Sequence, residues 1–346
     1  MATPDLTVHG AGIFGLSIAW AATLRGARVH VVEKRHVGAG SSGGLVGALA
    51  PHVPEQWNSK KAFQLDSLLM AGPWWAGVEA AASVASGYGR TGRLQPLADE
   101  AAIALAQSRA VSARSLWQDH AVWEVIPATG ADWEPQSPSG WLIRDSLTAR
   151  LHPQLALKAL VRAIEAKGGQ ISHEASDSAA PQIWATGYDG LLALSEGRSR
   201  PMGGGVKGQA ATLRFEARNH PQLFVDGLHI VPHADGTVAI GSTSERDWDS
   251  AETTDSQLDA LIAKARLAIP ALTDAPVVDR WAGIRPRARS RAPMLGAWPG
   301  RPGHYIANGG FKIGFGMAPK IAGLMADLAL DGVDTIPEAF RVEASL

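Results

Sequence analysis

Between Leu6 and Lys34 the spacing of apolar positions changes twice. Leu6 to His9 is a short apolar run suited to a buried parallel strand, and Gly15 to Leu24 reads as a helix closed by Gly26. RVHVVEK, Arg28 to Lys34, is again rich in β-branched residues and predicts a second strand. Strand, helix and strand in that order predict a βαβ unit. Gly38 to Asn58 holds too many small residues for a regular element. Leu45, Val46 and Leu49 nevertheless make it apolar, which suits a buried loop in close approach to a ligand. Helices are expected over Lys60 to Leu69, from Pro73 through Ala82, over Ala98 to Gln118 and over Pro153 to Lys167, where Gly168 and Gly169 stop the last.

A strand ending in a turn at Thr186 and Gly187 follows (PQIWATGYDG). Gly208 to Phe215, Leu228 to His233 and Gly236 to Thr243 read as an antiparallel set, with HADG turning between the last two. A helix over Asp255 to Ala268, a strand over His304 to Ala307, the loop NGGFKIGFG and a helix from Ala318 to Leu330 complete the pass. There is no internal repeat. α/β units alternating with an antiparallel block predict a dinucleotide domain interrupted by a sheet domain.

The composition narrows this picture. The chain has 346 residues, 46% hydrophobic and 19% charged, with a net charge of -1, so an ordinary globular protein without a nucleic-acid surface is expected. Cysteine is absent, which excludes disulfides, thiol nucleophiles and thioether-linked cofactors. No metal-ligand set is expected. The first strand starts at Leu6, so no signal peptide is expected ahead of it, and no apolar run reaches the ~18 residues of a membrane span. The expected location is cytoplasmic.

Gly10, Gly12 and Gly15 sit where the first strand turns into the first helix. The first two relieve a sharp turn and the third lets the helix lie close to the strand, so N–H groups at the helix start can face a pyrophosphate. Glu33, at the end of the second strand, suits hydrogen bonds to ribose hydroxyls; the alternative is a solvated strand end. A 2′-phosphate would meet the charge of Glu33, which disfavours NADP and leaves FAD and NAD. Ser41 and Ser42 are candidate donors to phosphate oxygens.

Eight segments resemble, in order, the FAD-dependent D-amino acid oxidase superfamily, nearest to its glycine and sarcosine oxidases. They are GAGIFGLSIAW, GSSGGLVGALAPH, HPQLALKALVRAIEAKGG, IWATG, VKGQAATL, HIVPHADGTVAIGST, WAGIRPRA and ANGGFKIGFGMAPKIAGLMADL, covering most of the chain. The resemblance implies an α/β fold with an α+β second domain. A Rossmann-like FAD-binding domain (1–85, 146–200 and 280–346) would be interrupted by an antiparallel-sheet substrate domain (86–145 and 201–279). It implies non-covalent FAD, since neither cysteine nor a histidine within Gly38 to Gly47 offers an attachment point. Cofactor contacts are implied at Gly10, Gly12, Ile13, Phe14, Gly15, Glu33, Lys34, Ser41, Ser42, Gly47, Ala48, Thr186, Gly187, Gly310, Phe311, Lys312, Ile313 and Gly314. Gly310 to Gly316 would run beside the flavin's pyrimidine end, with the helix from Ala318 behind it. N–H groups and the positive helix end there suit the negative charge of reduced flavin.

The same resemblance implies an amine or amino-acid oxidase that passes hydride from the α-carbon to flavin N5 and electrons to molecular oxygen. Arg285, in GIRP, would hold the substrate carboxylate through its planar fork, with Lys312 as second anchor and His229 facing the substrate. Surface pairing is the plainer alternative for Arg285, and simple packing for His229. His9, in place of the aliphatic residue usual before the first glycine, reads as a strand residue under the sheet, and His52 follows the loop that would pass the flavin. Of the twelve tryptophans, those at 123, 133 and 141 are core by default or line a substrate entrance. QISHEASDSAAPQ is too short for the strand pair that relatives fit between Gly169 and Ile183. Rival readings keep the fold as a dehydrogenase or a tRNA-modifying oxidoreductase, or discard the amine site for an electron-transfer or scaffolding flavoprotein. Partners are a small amine or amino acid and oxygen, with no nucleic acid or membrane; a homo-oligomer is compatible.

Overall fold

The first apolar run forms β1 (Leu6–His9), buried throughout because parallel strands flank it on both sides. The computed structural model describes residues 3–174 and 179–346. α1 (Ile13–Leu24) is buried from Ile13 to Thr23, and β2 (Val29–Val32) then pairs with β1, placing His9 opposite Val32. The chain continues through β3 (Ala48–Leu49), α2 (Ser59–Ala82), β4 (Arg93–Pro96), α3 (Glu100–Leu116), β5 (Trp123–Pro127), β6 (Trp141–Asp145), β7 (Ala149–Arg150) and α4 (Pro153–Ala166). β8 (Gln170–Ser172), β9 (Gln182–Trp184), α5 (Gly187–Ser195), β10 (Gly203–Arg214), β11 (Gln222–Val225), β12 (Leu228–Pro232) and β13 (Thr237–Gly241) follow. α6 (Ser256–Ala268), β14 (Val277–Ala288), β15 (Met294–Ala297), β16 (His304–Asn308) and α7 (Gly314–Ala326) complete the order.

Two large sheets result. One has six strands in the order β15-β16-β9-β1-β2-β8, parallel except at β15. The other has eight, β14-β10-β13-β12-β11-β4-β6-β5, antiparallel except between β11 and β4. α1 lies inside one core, packed against the parallel sheet, α4 and α7, with α2 lying over α4 and α7, which explains why it is apolar on every side. α6 closes a second core under the larger sheet, with Leu258, Ile262 and Ala265 buried.

Several boundaries differ from the sequence reading. Pro73 lies within the single helix α2 instead of opening a second one. Its ring is exposed, while Leu68, Ala71, Trp75 and Val78 hold the inner face across the missing hydrogen bond. α7 begins at Gly314, so Gly314 and Gly316 belong to the helix and only Gly309 to Ile313 form the loop. β10 starts at Gly203 because β14, rich in arginine and without an expected element, pairs with it from Gly203–Ala288 onward. Trp123 packs on Trp117, Trp133 stacks on Phe215, and Trp141 is exposed at the start of β6. None of the three lines the main cleft. The shortened segment before Ile183 falls partly on residues 175–178, outside the described residues.

Candidate functional site

A cleft of about 1650 Å³ runs from the carboxyl ends of β1, β2 and β9 to the inner face of the large sheet. Its first part is shaped by backbone. Gly10 has φ +101°, and a Cβ there would stand 2.5 Å from the Ala185 carbonyl oxygen. Gly15 lies behind the wall, where a Cβ would come within 1.9 Å of the Gly10 oxygen, so α1 could not otherwise sit so close to the strand. Gly12 offers α1 no side-chain cap, and the Ile13 N–H donates instead to Ser42 Oγ at 3.0 Å. The start of α1 therefore faces the cleft with its N–H groups and partial positive charge. Glu33 stands at the end of β2, accepting from the Ala11 N–H (2.9 Å) and the Arg35 N–H (3.0 Å). An Arg35–Glu252 ion pair of 3.2 Å joins two residues of the cleft wall here.

The far end is built by β10 and β14. Gly208 pairs with Gly283, and the neighbouring Arg285 fills the space that a side chain at 208 would occupy. Arg285 is 8% exposed; it donates to Ser242 Oγ (2.6 Å) and the Thr243 carbonyl (3.2 Å). Burial pushes its pKa down to about 10, with Glu245 acting in the opposite direction. Glu245 is itself engaged by Lys207 (3.5 Å), by the Gln209 amide (3.1 Å) and by the Thr243 hydroxyl. The loop before α7 is clamped to β14 by a Phe311 N–H to Pro286 carbonyl bond of 3.0 Å, which sets Lys312 into the same wall. Lys312 Nζ donates to Ser244 Oγ at 2.7 Å, and partial burial, then Arg285 and Arg287, lower its pKa. His229 projects from β12 beside Phe224, ring centroids 4.6 Å apart, with no partner for Nδ1. Burial, helped by Arg93 and Lys312, pushes its pKa down to about 3, so its imidazole is neutral.

Of the residues singled out in the sequence, Gly10, Gly12, Ile13, Phe14, Glu33, Lys34, Ser41, Ser42, Ala48, Thr186, Gly187, His229, Arg285, Gly310, Phe311, Lys312 and Gly314 line this one cleft. Gly15, Gly47 and Ile313 stand behind its wall. His52 bonds Gln64 and does not line the cleft, whereas His9 does, stacked on Trp184 at 3.9 Å and bonded to Gln182 at 2.8 Å. Phe224, Ser242, Glu252 and Trp281 also line the wall without having been singled out. The strands around Phe224, Ser242 and Trp281 carried no signal beyond ordinary sheet packing, and Glu252 stands in an irregular segment before α6.

Residues 5–328 match the model of the DAO family, described as FAD dependent oxidoreductase. The chain belongs to the DAO family. It is 29% identical over 363 residues to the bifunctional protein ThiO/ThiG of a Synechocystis strain, covering 95% of this chain and 52% of that protein. The chain thus spans about half the length of that relative. Glycine oxidase of Geobacillus kaustophilus is 25% identical, covering 94% of this chain and 92% of that one. Its crystal structure superposes with a TM-score of 0.81 over 96% of this chain and 95% of that chain, at 19% identity. Iminodiacetate oxidase of a Chelativorans strain superposes at 0.84 over 97% of this chain and 98% of that one, also at 19% identity. These two structures share the fold.

The cofactor of this DAO-family oxidoreductase is FAD. The cleft fits an extended dinucleotide: a glycine turn without side chains, a helix start whose N-cap glycine offers no side chain, and an acid at the end of β2. Among the described residues no helix is long and apolar enough to cross a membrane.

Proposed function

We propose that this DAO-family enzyme oxidises a small amine bearing a carboxylate, of the glycine, sarcosine or D-amino-acid class, with oxygen as electron acceptor. One observation carries the reading. Arg285 is a buried cation in the cleft wall whose hydrogen-bond partners, Ser242 Oγ and the Thr243 carbonyl, are neutral. The nearby acid, Glu245, is held by Lys207, Gln209 and Thr243. A buried charge with only neutral partners is costly, and a substrate carboxylate would relieve that cost through the guanidinium fork. Lys312 adds a second cation in the same wall. His229, neutral, takes an orienting role as a hydrogen-bonding wall group rather than an acid or base. The relatives named glycine oxidase favour amino-acid chemistry.

FAD would be held without a covalent bond. Gly10, Gly12, Ile13 and Phe14 would meet its pyrophosphate, with Ser41 and Ser42 beside them, and Glu33 and Lys34 its ribose. Ala48, Thr186, Gly187 and the residues 310–314 would lie along the remainder, with Gly15, Gly47 and Ile313 supporting from behind. Bound there, FAD would supply the acceptor for a hydride from the substrate carbon and the route of the electrons to oxygen, with hydrogen peroxide as the reduced product. The residues of the chain supply orientation and exclusion of water; no acid–base pair is required if the amine binds neutral.

Mixing the anaerobic holoenzyme with glycine, sarcosine, D-amino acids and amines lacking a carboxylate, then admitting air, tests the reading. Carboxylated amines should bleach the flavin absorbance, and air should restore it with one peroxide per turnover. Bleaching without peroxide would indicate a dehydrogenase. No bleaching by any member of the panel would overturn the amine assignment.

A further inference from the structure

We propose that His152, His233 and Asp235 form a transition-metal site, suited to Zn²⁺, joining the start of α4 to the turn between β12 and β13. His152 is the N-cap residue of α4, and His233 and Asp235 stand in HADG, the turn between β12 and β13 of the eight-stranded sheet. One ligand atom from each lies within 4.8 Å of the others. The two rings are 4.5 Å apart, and His152 Nε2 is 3.8 Å from Asp235 Oδ2. Ligands on tetrahedral zinc at about 2.0–2.1 Å stand about 3.3 Å apart, so the three atoms, now within 4.8 Å of one another, draw together by up to about 1.5 Å to close on the ion.

A second observation points to a ligand. His233 is 1% exposed, yet its Nε2 has no hydrogen-bond partner. Thr237 explains how that nitrogen is left free. Its hydroxyl donates to Asp235 Oδ1 (2.7 Å), and its oxygen lies 3.3 Å from His233 Nδ1. Nδ1–H therefore donates to Thr237, and Nε2 keeps a lone pair, the arrangement that orients metal-binding histidines. The Thr237 N–H also bonds Asp235 Oδ1 (3.0 Å), which leaves Oδ2 for the ion. His152 Nδ1 accepts from the Leu155 N–H at 3.5 Å, which turns Nε2 toward Asp235, and the ring gives up its Nε2 proton when the ion binds.

Three protein ligands leave one position for water on the side where Asp235 is exposed. Arg150 is buried with Nε and Nη1 unpartnered, and its charge acts on both His233 and Asp235. It weakens the site for a cation, and Asp235 offsets it. An anion on Arg150 would face that same carboxylate and two neutral rings, so the cation is favoured. None of the three ligands lines the cleft, and the site is a clasp between the start of α4 and the eight-stranded sheet.

The test uses untagged holoenzyme, stripped with a chelator and dialysed against Zn²⁺. Retention of one zinc per FAD and a raised Tm are expected. Asp235→Asn, His152→Gln and His233→Gln should lose the metal at unchanged FAD content, and Thr237→Val should weaken it about 10–100-fold. Asp235, on an exposed turn, keeps the test decisive should His233→Gln fail to fold. Wild-type protein that retains no zinc, or variants that retain it fully, would overturn the site. So would a Tm raised by phosphate instead of Zn²⁺ and abolished in Arg150→Met.

Discussion

Gly208 and Arg285 occupy one volume between them: an ideal Cβ at 208 would lie 1.9 Å from both terminal guanidinium nitrogens. The clash is with the far end of a flexible side chain, so Gly208→Ala should displace the guanidinium and leave the strands intact. Losing a charged hydrogen bond of about 1.5–3 kcal/mol predicts a KM for carboxylated amines raised about ten- to hundredfold. Steady-state kinetics with FAD content as control checks this. Unchanged KM would mean that Arg285 does not need its present position.

Arg285→Ala removes the fork itself. Breaking one side of a buried charge pair costs about 3–5 kcal/mol, or two to four powers of ten in apparent affinity. The loss should appear in KM for carboxylated amines and spare amines without a carboxylate. Arg285→Lys should recover only part, since a point charge cannot make the paired contact. Equal damage to both substrate types would place Arg285 with the cofactor or the fold.

Glu33→Ala should weaken FAD binding by about 1.5–3 kcal/mol for each ribose hydrogen bond lost. Glu33 also accepts from the Ala11 N–H in the glycine turn, so Glu33→Gln should fall between the two. Flavin titration of apoprotein measures both. Acid precipitation of the wild type should leave yellow supernatant over colourless protein, as non-covalent binding requires.

Lys312 sets a pH limit. Burial and the neighbouring arginines lower its pKa, so it loses its proton before an ordinary lysine does. The cation that assists the carboxylate is present below that lowered pKa and lost above it. KM should therefore climb on the alkaline side beginning below the ordinary lysine range, and Lys312→Met should be high and flat over the same interval. An identical climb in the variant would assign the effect elsewhere.

His233 predicts acid sensitivity of the fold. Its pKa is pushed from 6.5 to about 3 by burial, with His152 adding to the shift. Above pH 6.5 both folded and unfolded states carry it neutral, and it adds no pH dependence. Below that value the unfolded chain takes a proton that the folded one refuses, so stability falls until about pH 3. Denaturant midpoints in chelator-treated buffer should drop less steeply between pH 6.5 and pH 4 in His233→Gln than in the wild type. Parallel slopes would remove His233 as a source.

How much was legible differs between the two ends of the cleft. Gly10, Gly12, Ser42 and Glu33 fall within one contiguous stretch of chain, where strand, turn and helix place them by local geometry. The opposite end is assembled from separate strands. GIRP marked Arg285 by resemblance, but the space for its guanidinium comes from Gly208 on the neighbouring strand, and its anchors from Ser242 and Thr243. Gly203 to Gly205 has the composition of a loop, yet it is strand because β14 supplies the hydrogen-bond partners. Pro73 marks a helix start by local preference, and buried residues on either side of it carry α2 through.

The order of apolar periods and the glycine spacing by themselves determined the βαβ unit, because those constraints act between neighbours in the chain. His9 gained its account only from Trp184, which lies beside it in the sheet. His152, His233 and Asp235 carry no local signal, since a ligand set is a matter of distances in space between atoms on different elements. Burial likewise belongs to the whole molecule: it sets Arg285 at about 10 and His229 at about 3, shifts that desolvation produces only once the two sheets have closed over them.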